Sequence, residues 1–272
     1  VAEDWAGDKG RFWAEQADWF SQMLSEFLPP VIAGAALRPG ERVLDVGSGG
    51  GDLSIAAATA VGPEGSVVGV DLSADEIAVA LGRVAAVGLE NVSFELGDAG
   101  AVQLSPPFDV LVSRFGVMFF EDPVAAFTHL HGALRPGGRV AFACWQVVDR
   151  NAWMQLPRDA IGSVLSLPEL PAGPTGPYAF AEPDHVRGVL TRAGFADIRV
   201  DELQQTVHLG RSVDEALQFV ATTEWAKTAF ADASDPDRKA ALAAASAVLE
   251  ERAGPGGEID LPGAAWLVQA RT

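Results

Sequence analysis

The sequence predicts an α/β fold: a doubly wound, mostly parallel seven-stranded sheet flanked by helices and carrying a helical cap. Three observations predict it. Short apolar runs alternate with helix-period segments between residues 42 and 145. The first of those runs ends in a glycine-rich loop that leads into a helix. Long segments on either side of the alternation carry helical or irregular patterns that do not belong to it.

Residues 8–28 read as one amphipathic helix, with Trp13, Ala17, Phe20, Leu24 and Phe27 at three- and four-residue steps. Pro29-Pro30 stops it, and a short apolar helix follows over 31–37. RVLDVG (42–47) is a short buried strand and 53–60 a helix. SVVGVD (66–71) is the second strand, after which Ser73 and Glu76 form a capping box opening a helix to Gly88. NVSFELGD (91–98) and FDVLVSR (108–114) are the third and fourth strands. Residues 122–134 are helical, with Pro123 tolerated in the first turn. Pro136-Gly137-Gly138 then turns into a fifth strand, RVAFACW (139–145).

Beyond Trp145 the pattern breaks. Residues 146–182 are rich in Pro and Gly and read as a long irregular segment. A helix over 183–193 ends at Gly194, and 197–209 is a long strand. Ser212 and Glu215 form a second capping box, opening a helix through about Phe230. An Ala-rich helix covers 236–253, and AAWLVQAR (264–271) is a terminal strand. The whole is expected to be a single domain over 1–272. Its core is about 30–145 with 183–209 and 264–272; its cap is 1–28, 146–182 and 212–253.

Charge and composition exclude several classes. A formal net charge of −18 repels phosphate backbones, so no nucleic-acid partner is expected. No apolar run is long enough for a membrane span. The acidic and aromatic start VAEDWAGDKGRFW lacks a signal-peptide pattern, and a cytoplasmic location is expected. Cys144 is the single cysteine, which excludes an internal disulfide; in the string VAFACW it reads as a buried core thiol.

The strongest motif is Asp45-Val-Gly47-Ser-Gly49-Gly50-Gly51. Glycines there let the backbone turn sharply and approach a ligand closely. A dinucleotide loop would read G-x-G-x-x-G, but the third glycine position is Asp52, which would face a pyrophosphate. The carboxylate of Asp45 at the strand tip suits a cationic ligand.

On these residues the chain resembles the class I S-adenosylmethionine-dependent methyltransferases, whose D-x-G-x-G-x-G loop matches Asp45, Gly47, Gly49 and Gly51. Asp71 stands where that family places an acid on both ribose hydroxyls, and Gly97-Asp98-Ala99 where its acid takes the adenine amino group. Leu134-Arg135-Pro136-Gly137-Gly138 matches the family's L-x-P-G-G, and FGVMFFEDP (115–123) is similar to the subgroup acting in ubiquinone and menaquinone biosynthesis. The resemblance is close over roughly 40–145. It implies a Rossmann-like fold, S-adenosyl-L-methionine as cofactor, and methyl transfer to O, N or C of a small organic acceptor. It implies cofactor contacts at Asp45, Gly47, Ser48, Gly49, Gly51, Asp71, Leu72, Asp98, Ala99, Ser113 and Arg114.

Methyl transfer needs alignment and exclusion of water more than a catalytic group, so no catalytic residue is assigned. His185, at the start of a helix, is a candidate base; His129, His131 and His208 read as surface or strand-end residues. The strand ending Ser113-Arg114-Phe115-Gly116 has no acid before Glu121, so no metal is expected; Arg114 reads as an ion-pairing group or an anchor for an anionic acceptor. An apolar acceptor pocket is expected from Trp13, Gln16, Phe20, Phe115, Phe119, Trp145 and Trp153. The alternatives are a non-catalytic S-adenosylmethionine-binding protein and a nicotinamide-dependent oxidoreductase. Asp45 and Asp52 weigh against the second.

Overall fold

The apolar runs form one sheet in which strand β1 (Arg42–Val46) lies between β2 (Ser66–Asp71) and β4 (Phe108–Arg114). The structure is a computed structural model and describes residues 5, 7–105, 107–170 and 175–272. With β3 (Val92–Leu96), β5 (Leu134–Trp145), β6 (Ala196–Gly210) and β7 (Ile259–Arg271) the order is β3-β2-β1-β4-β5-β7-β6. All pairings from β3 to β5 are parallel, and β7 is antiparallel to both β5 and β6. The chain reverses its direction of winding between β1 and β4, and the loop after β1 opens at that switch point.

The connecting helices take the expected places. They are α4 (Asp52–Val61), α5 (Ala74–Val87), α6 (Pro123–Ala133) and α8 (Pro183–Arg192). Gly88 ends α5 in the left-handed conformation at φ 69°. Ser73 caps α5 by accepting the Glu76 N–H at 3.2 Å, but Glu76 does not return the bond. The Ser73 N–H donates to Asp71 instead, at 2.9 Å. Cys144 is fully buried in β5, and burial pushes its thiol pKa up.

Four expectations are corrected. Residues 8–28 are not one helix: α1 (Asp8–Glu15) and α2 (Ala17–Met23) meet at Gln16, and a 3₁₀ turn (Ser25–Phe27) follows. Pro29 and Pro30 do not stop that segment. They occupy the first turn of α3 (Leu28–Ala35), where a missing N–H costs nothing. The segment 146–182 contains α7 (Ala152–Gly162), with Pro157 inside it. Finally, residues 212–230 divide into α9 (Val213–Thr222) and α10 (Glu224–Ala231), where Thr223 takes an extended conformation.

Helices α7, α9, α10 and α11 (Asp235–Glu250) share a second apolar cluster, with Ile161, Val220, Ala226, Ala241 and Ala245 buried in it. Asn151 fastens this helical unit to the sheet. It is wholly buried, and its amide donates to the Gln146, Val147 and Ala264 carbonyls. Its oxygen accepts the Trp153 indole N–H at 3.0 Å and the Ala264 N–H at 2.9 Å.

Candidate active site

The glycine loop is held by its own geometry. Gly47, Gly49 and Gly51 have φ of 67°, 50° and 85°, which side chains with a Cβ rarely adopt. A Cβ on Gly47 would come within 2.7 Å of the Gly116 Cα, so this glycine lets the β1 and β4 tips touch. Gly49 has more room, its nearest neighbour being Glu76 Oε2 at 3.6 Å. Gly51 forms the N-cap of α4.

Four carboxylates surround this loop. Asp45 is fully buried, and its Oδ2 accepts the Ser54 hydroxyl at 2.6 Å. Its Oδ1 and the buried hydroxyl of Ser48 have no hydrogen-bond partner. Burial pushes the Asp45 carboxyl up to about 7, against the Ser54 hydrogen bond and the Arg114 charge. Asp71 holds the Gly49 N–H on Oδ2 at 2.8 Å and the Ser73 N–H on Oδ1. Burial raises its pKa, opposed by the N–H groups of Ser73, Gly49 and Leu72. Glu76 is also pushed up to about 7, first by burial and then by the Asp71 charge. Asp52 opens α4 and is ion-paired to Arg114 at 2.8 Å and Arg83 at 3.2 Å.

Such a site favours a net-positive ligand, because each carboxylate gains when a cation replaces the water it lost. The residues fit S-adenosylmethionine on that ground. Asp45 and Ser48 offer buried polar atoms without partners, and Asp71 lies at the β2 tip with lone pairs to spare. Asp98 is exposed after β3, and its Oδ1 accepts the Gly100 N–H at 2.8 Å, leaving Oδ2 for a donor. Leu72 and Ala99 flank these acids, half-buried and buried respectively.

The tip of β4 is strained. Phe115 has φ 64°, an outlier for a bulky residue, yet it is buried and its N–H donates to Ala143 at 3.0 Å. Its ring stacks on Trp145 at 4.0 Å, and Phe27 meets both rings edge-on. Trp145 contacts Trp153, which reaches Phe219 of α9, and Phe219 contacts Trp19 and Phe20 of α2. Trp13 stacks on Phe20 at 3.5 Å, and Phe119 packs on Trp5. Six of the seven residues expected to line the acceptor pocket are therefore in or beside aromatic contacts. Trp13 packs on Phe20, and Phe115, Trp145 and Trp153 pack in a row. A cavity of about 240 Å³ opens behind Trp19, lined also by Gln22, His208, Arg211, Glu215, Glu258 and Asp260.

Four further expected site residues have these surroundings. Gln16 is exposed at the α1–α2 joint. Ser113 is fully buried, and its hydroxyl donates to the Val46 carbonyl at 2.7 Å and accepts the Gly116 N–H. It ties β4 to β1. Arg114 is an ion-pairing group: it binds Asp52 and the Leu24 carbonyl. His185 is exposed at the start of α8 and meets only Phe180 among the described rings. The other histidines also lie away from the glycine loop. His129 bonds the Val102 carbonyl and His131 packs on Phe195, so both are half-buried and not surface residues. His208 bonds Asp260 at 2.8 Å.

Glu76 and Arg83, and the pairing of Arg83 and Arg114 with Asp52, were not legible in the sequence. Glu76 was visible only as half of a capping box, and the spacing that turns it toward Gly49 depends on how α5 lies. The fold, the glycine loop and the carboxylates around it together define a nucleotide-type methyl-donor site on a class I methyltransferase scaffold. Comparison with known proteins agrees. A methyltransferase-domain family model matches residues 37–168. Nocamycin O-methyltransferase of Saccharothrix syringae is 32% identical over 218 residues, 76% of each chain. An arsenite methyltransferase of Halobacterium salinarum is 41% identical over 110 residues, which is 40% of this chain and only 28% of the relative. Among solved structures, the YcgJ protein of Bacillus subtilis superposes with a TM-score of 0.58 at 18% identity, covering 90% of this chain and 97% of that one. The chain belongs to the S-adenosylmethionine-dependent class I methyltransferases. It is an enzyme of methyl transfer whose cofactor is S-adenosyl-L-methionine.

Proposed function

We propose that the chain methylates a small, largely apolar organic molecule, with oxygen favoured over N or C as the accepting atom. The observation that carries this reading is the Phe115–Trp145 stack at the tips of β4 and β5. It adjoins the cofactor loop, because the Gly116 backbone touches Gly47. The extended similarity to an O-methyltransferase supports oxygen as the acceptor atom.

S-adenosylmethionine, when bound, supplies a methyl group already activated by its sulfonium. The residues of the chain have three tasks around it. Asp45, Asp71 and Asp98 hold and orient a cationic nucleoside; the glycine loop lets the backbone close on it. Phe115, Trp145 and Trp153 align an apolar acceptor and exclude water. Helices α1 and α2 lie across the edge where the acceptor enters: Gly10 packs on Ser73, and Ser21 bonds Asp52 at 2.6 Å. No histidine of the described residues borders the glycine loop, so the acceptor nucleophile is one that needs no imidazole base. An acidic hydroxyl meets that requirement.

The test is transfer of radiolabelled methyl from S-adenosylmethionine to a panel of hydroxylated aromatic and polycyclic molecules, aliphatic amines and small polar acids. Label in apolar hydroxylated acceptors is the expected result. Label only in small polar acceptors would overturn the acceptor class. Tight binding of S-adenosylhomocysteine with no transfer to any acceptor would favour a non-catalytic binder.

A further inference from the structure

We propose that Asp52 is a positioning residue that clasps the N-terminal helices to the cofactor loop, so that cofactor binding and closure of those helices are one event. Three elements converge on this carboxylate. From α2, the Ser21 hydroxyl donates to Oδ2 at 2.6 Å. From β4, Arg114 Nη2 donates to the same oxygen at 2.8 Å, while its Nη1 holds the Leu24 carbonyl at the end of α2. From α5, Arg83 Nη1 donates to Oδ1 at 3.2 Å, to the Gly50 carbonyl at 3.0 Å and to Ser21 Oγ at 3.0 Å. Arg83 Nη2 reaches Asp18 of α2 at 2.6 Å. The glycine loop, α2, α5 and β4 are thus joined through one side chain.

A helix-opening acid needs none of this. As the first residue of α4, Asp52 would already gain from the free N–H groups there. Its partners are also not surface pairs. The side chains of Asp52, Arg83 and Arg114 are 25%, 21% and 12% exposed, so the bonds are only partly screened. The charges of Asp18, Asp52, Arg83 and Arg114 sum to zero. Without Asp52, Asp18 would be the one carboxylate left against the two guanidinium groups, a net positive charge beside a site built for a cation. The clasp therefore serves the loop in two ways: it fixes the Gly50 carbonyl through Arg83, and it cancels the arginines.

Closure follows from the geometry. Ligand that orders residues 47–51 orders Gly50 and Asp52, and through them Ser21, Asp18 and Leu24 of the N-terminal segment. Asp52 acts through these partners and touches no reacting atom. The inference rests on the cofactor class and not on the identity of the acceptor.

The experiment is hydrogen exchange of the full chain with and without S-adenosylhomocysteine, alongside calorimetric affinity. In the wild-type chain, S-adenosylhomocysteine should slow exchange in residues 8–24 by at least about fivefold. Asp52→Asn should retain protection of β1, β4 and β5 and its melting temperature to within a few degrees, yet lose the ligand-induced protection of 8–24. Asp52→Glu should restore part of it. Ser21→Ala with Arg83→Gln, made from the other side of the clasp, should reproduce the loss. Ligand-induced protection of 8–24 that persists in Asp52→Asn overturns the proposal. Should Asp52→Asn loosen the whole sheet, the Ser21→Ala/Arg83→Gln chain decides: protection kept there overturns the clasp, and protection lost there with an intact sheet supports it. Absence of S-adenosylhomocysteine binding by the wild-type chain would count against the cofactor reading itself, whereas binding without coupling counts against the clasp alone.

Discussion

Asp71→Asn separates the two roles of a carboxylate that works both inside the protein and toward the ligand. Both oxygens are already used in the free chain, Oδ1 by the Ser73 N–H at 2.9 Å and Oδ2 by the Gly49 N–H at 2.8 Å. An amide has one acceptor oxygen, so one of these N–H groups would face an NH₂ and lose its partner. A donor left unpaired costs about 1–3 kcal/mol. Here the cost falls at the lower end, because the site is only partly buried and burial already disfavours the charged form of Asp71, as its raised pKa records. A loss of about 1 kcal/mol lowers the melting temperature of a chain this size by roughly 2–4 °C. The effect on the ligand has no such offset. Each carboxylate oxygen keeps a lone pair for a ribose hydroxyl, and a charge-assisted bond contributes about 1.5–3 kcal/mol, which is roughly 10- to 150-fold in affinity. Calorimetric titration with S-adenosylhomocysteine and a thermal melt measure both numbers. A small drop in melting temperature with at least about tenfold weaker binding is expected. An affinity within about twofold of wild type, in a chain that melts lower, would refute the ribose role and leave Asp71 as a structural acceptor alone.

Other outcomes follow from the same geometry. Gly47→Ala forces a Cβ to within 2.7 Å of Gly116 and should destabilise the chain, whereas Gly49→Ala meets nothing closer than 3.6 Å; thermal melts of the two should differ in that order. Asn151→Leu leaves the Ala264 N–H and the Trp153 indole without acceptors, a loss of at least about 2 kcal/mol to be read by urea titration. Asp45 and Glu76 have carboxyls raised to about 7 in the folded chain. The folded state therefore binds protons more tightly than the unfolded one, and their contribution to stability, full below about pH 4, disappears as pH rises through about 7. The free chain should melt higher at about pH 5.5 than at pH 8. A cation prefers the ionised carboxylates, so S-adenosylmethionine, which is net positive, should bind more weakly below pH 7 and release protons on binding. Titrations in buffers of different ionisation enthalpy detect that release.

The alternation of strands and helices was legible because the central strands are short, apolar and buried on both faces, as RVLDV and FDVLVSR are. The glycine loop was legible because its conformation demands glycine at Gly47, Gly49 and Gly51. The breaks in the N-terminal segment were not. Gln16 carries no signal that ends a helix, and Pro29-Pro30 reads equally as a stop or as a first turn. Helix α7 was hidden by Pro157, whose cost is offset by burying Trp153 and Ile161. Ser113 and Arg114 sit at the right sequence positions for a ligand, yet their partners, Val46 and Asp52, come from other strands and loops. Long-range pairs of this kind leave no local pattern. Neither does the strain at Phe115, which lies next to the contact of Gly116 with β1.

The central claim is that the carboxylates around the glycine loop hold the methyl donor with its sulfur toward the Phe115–Trp145 stack and beneath helices α1 and α2. A crystal structure with S-adenosylhomocysteine tests it directly. Ribose hydroxyls on Asp71, the adenine amino group at Asp98, the ligand's ammonium near Asp45, and the sulfur facing the aromatic stack are the expected result. A ligand seated elsewhere, as in the cavity behind Trp19, or one whose sulfur points away from Phe115 and Trp145, would contradict it.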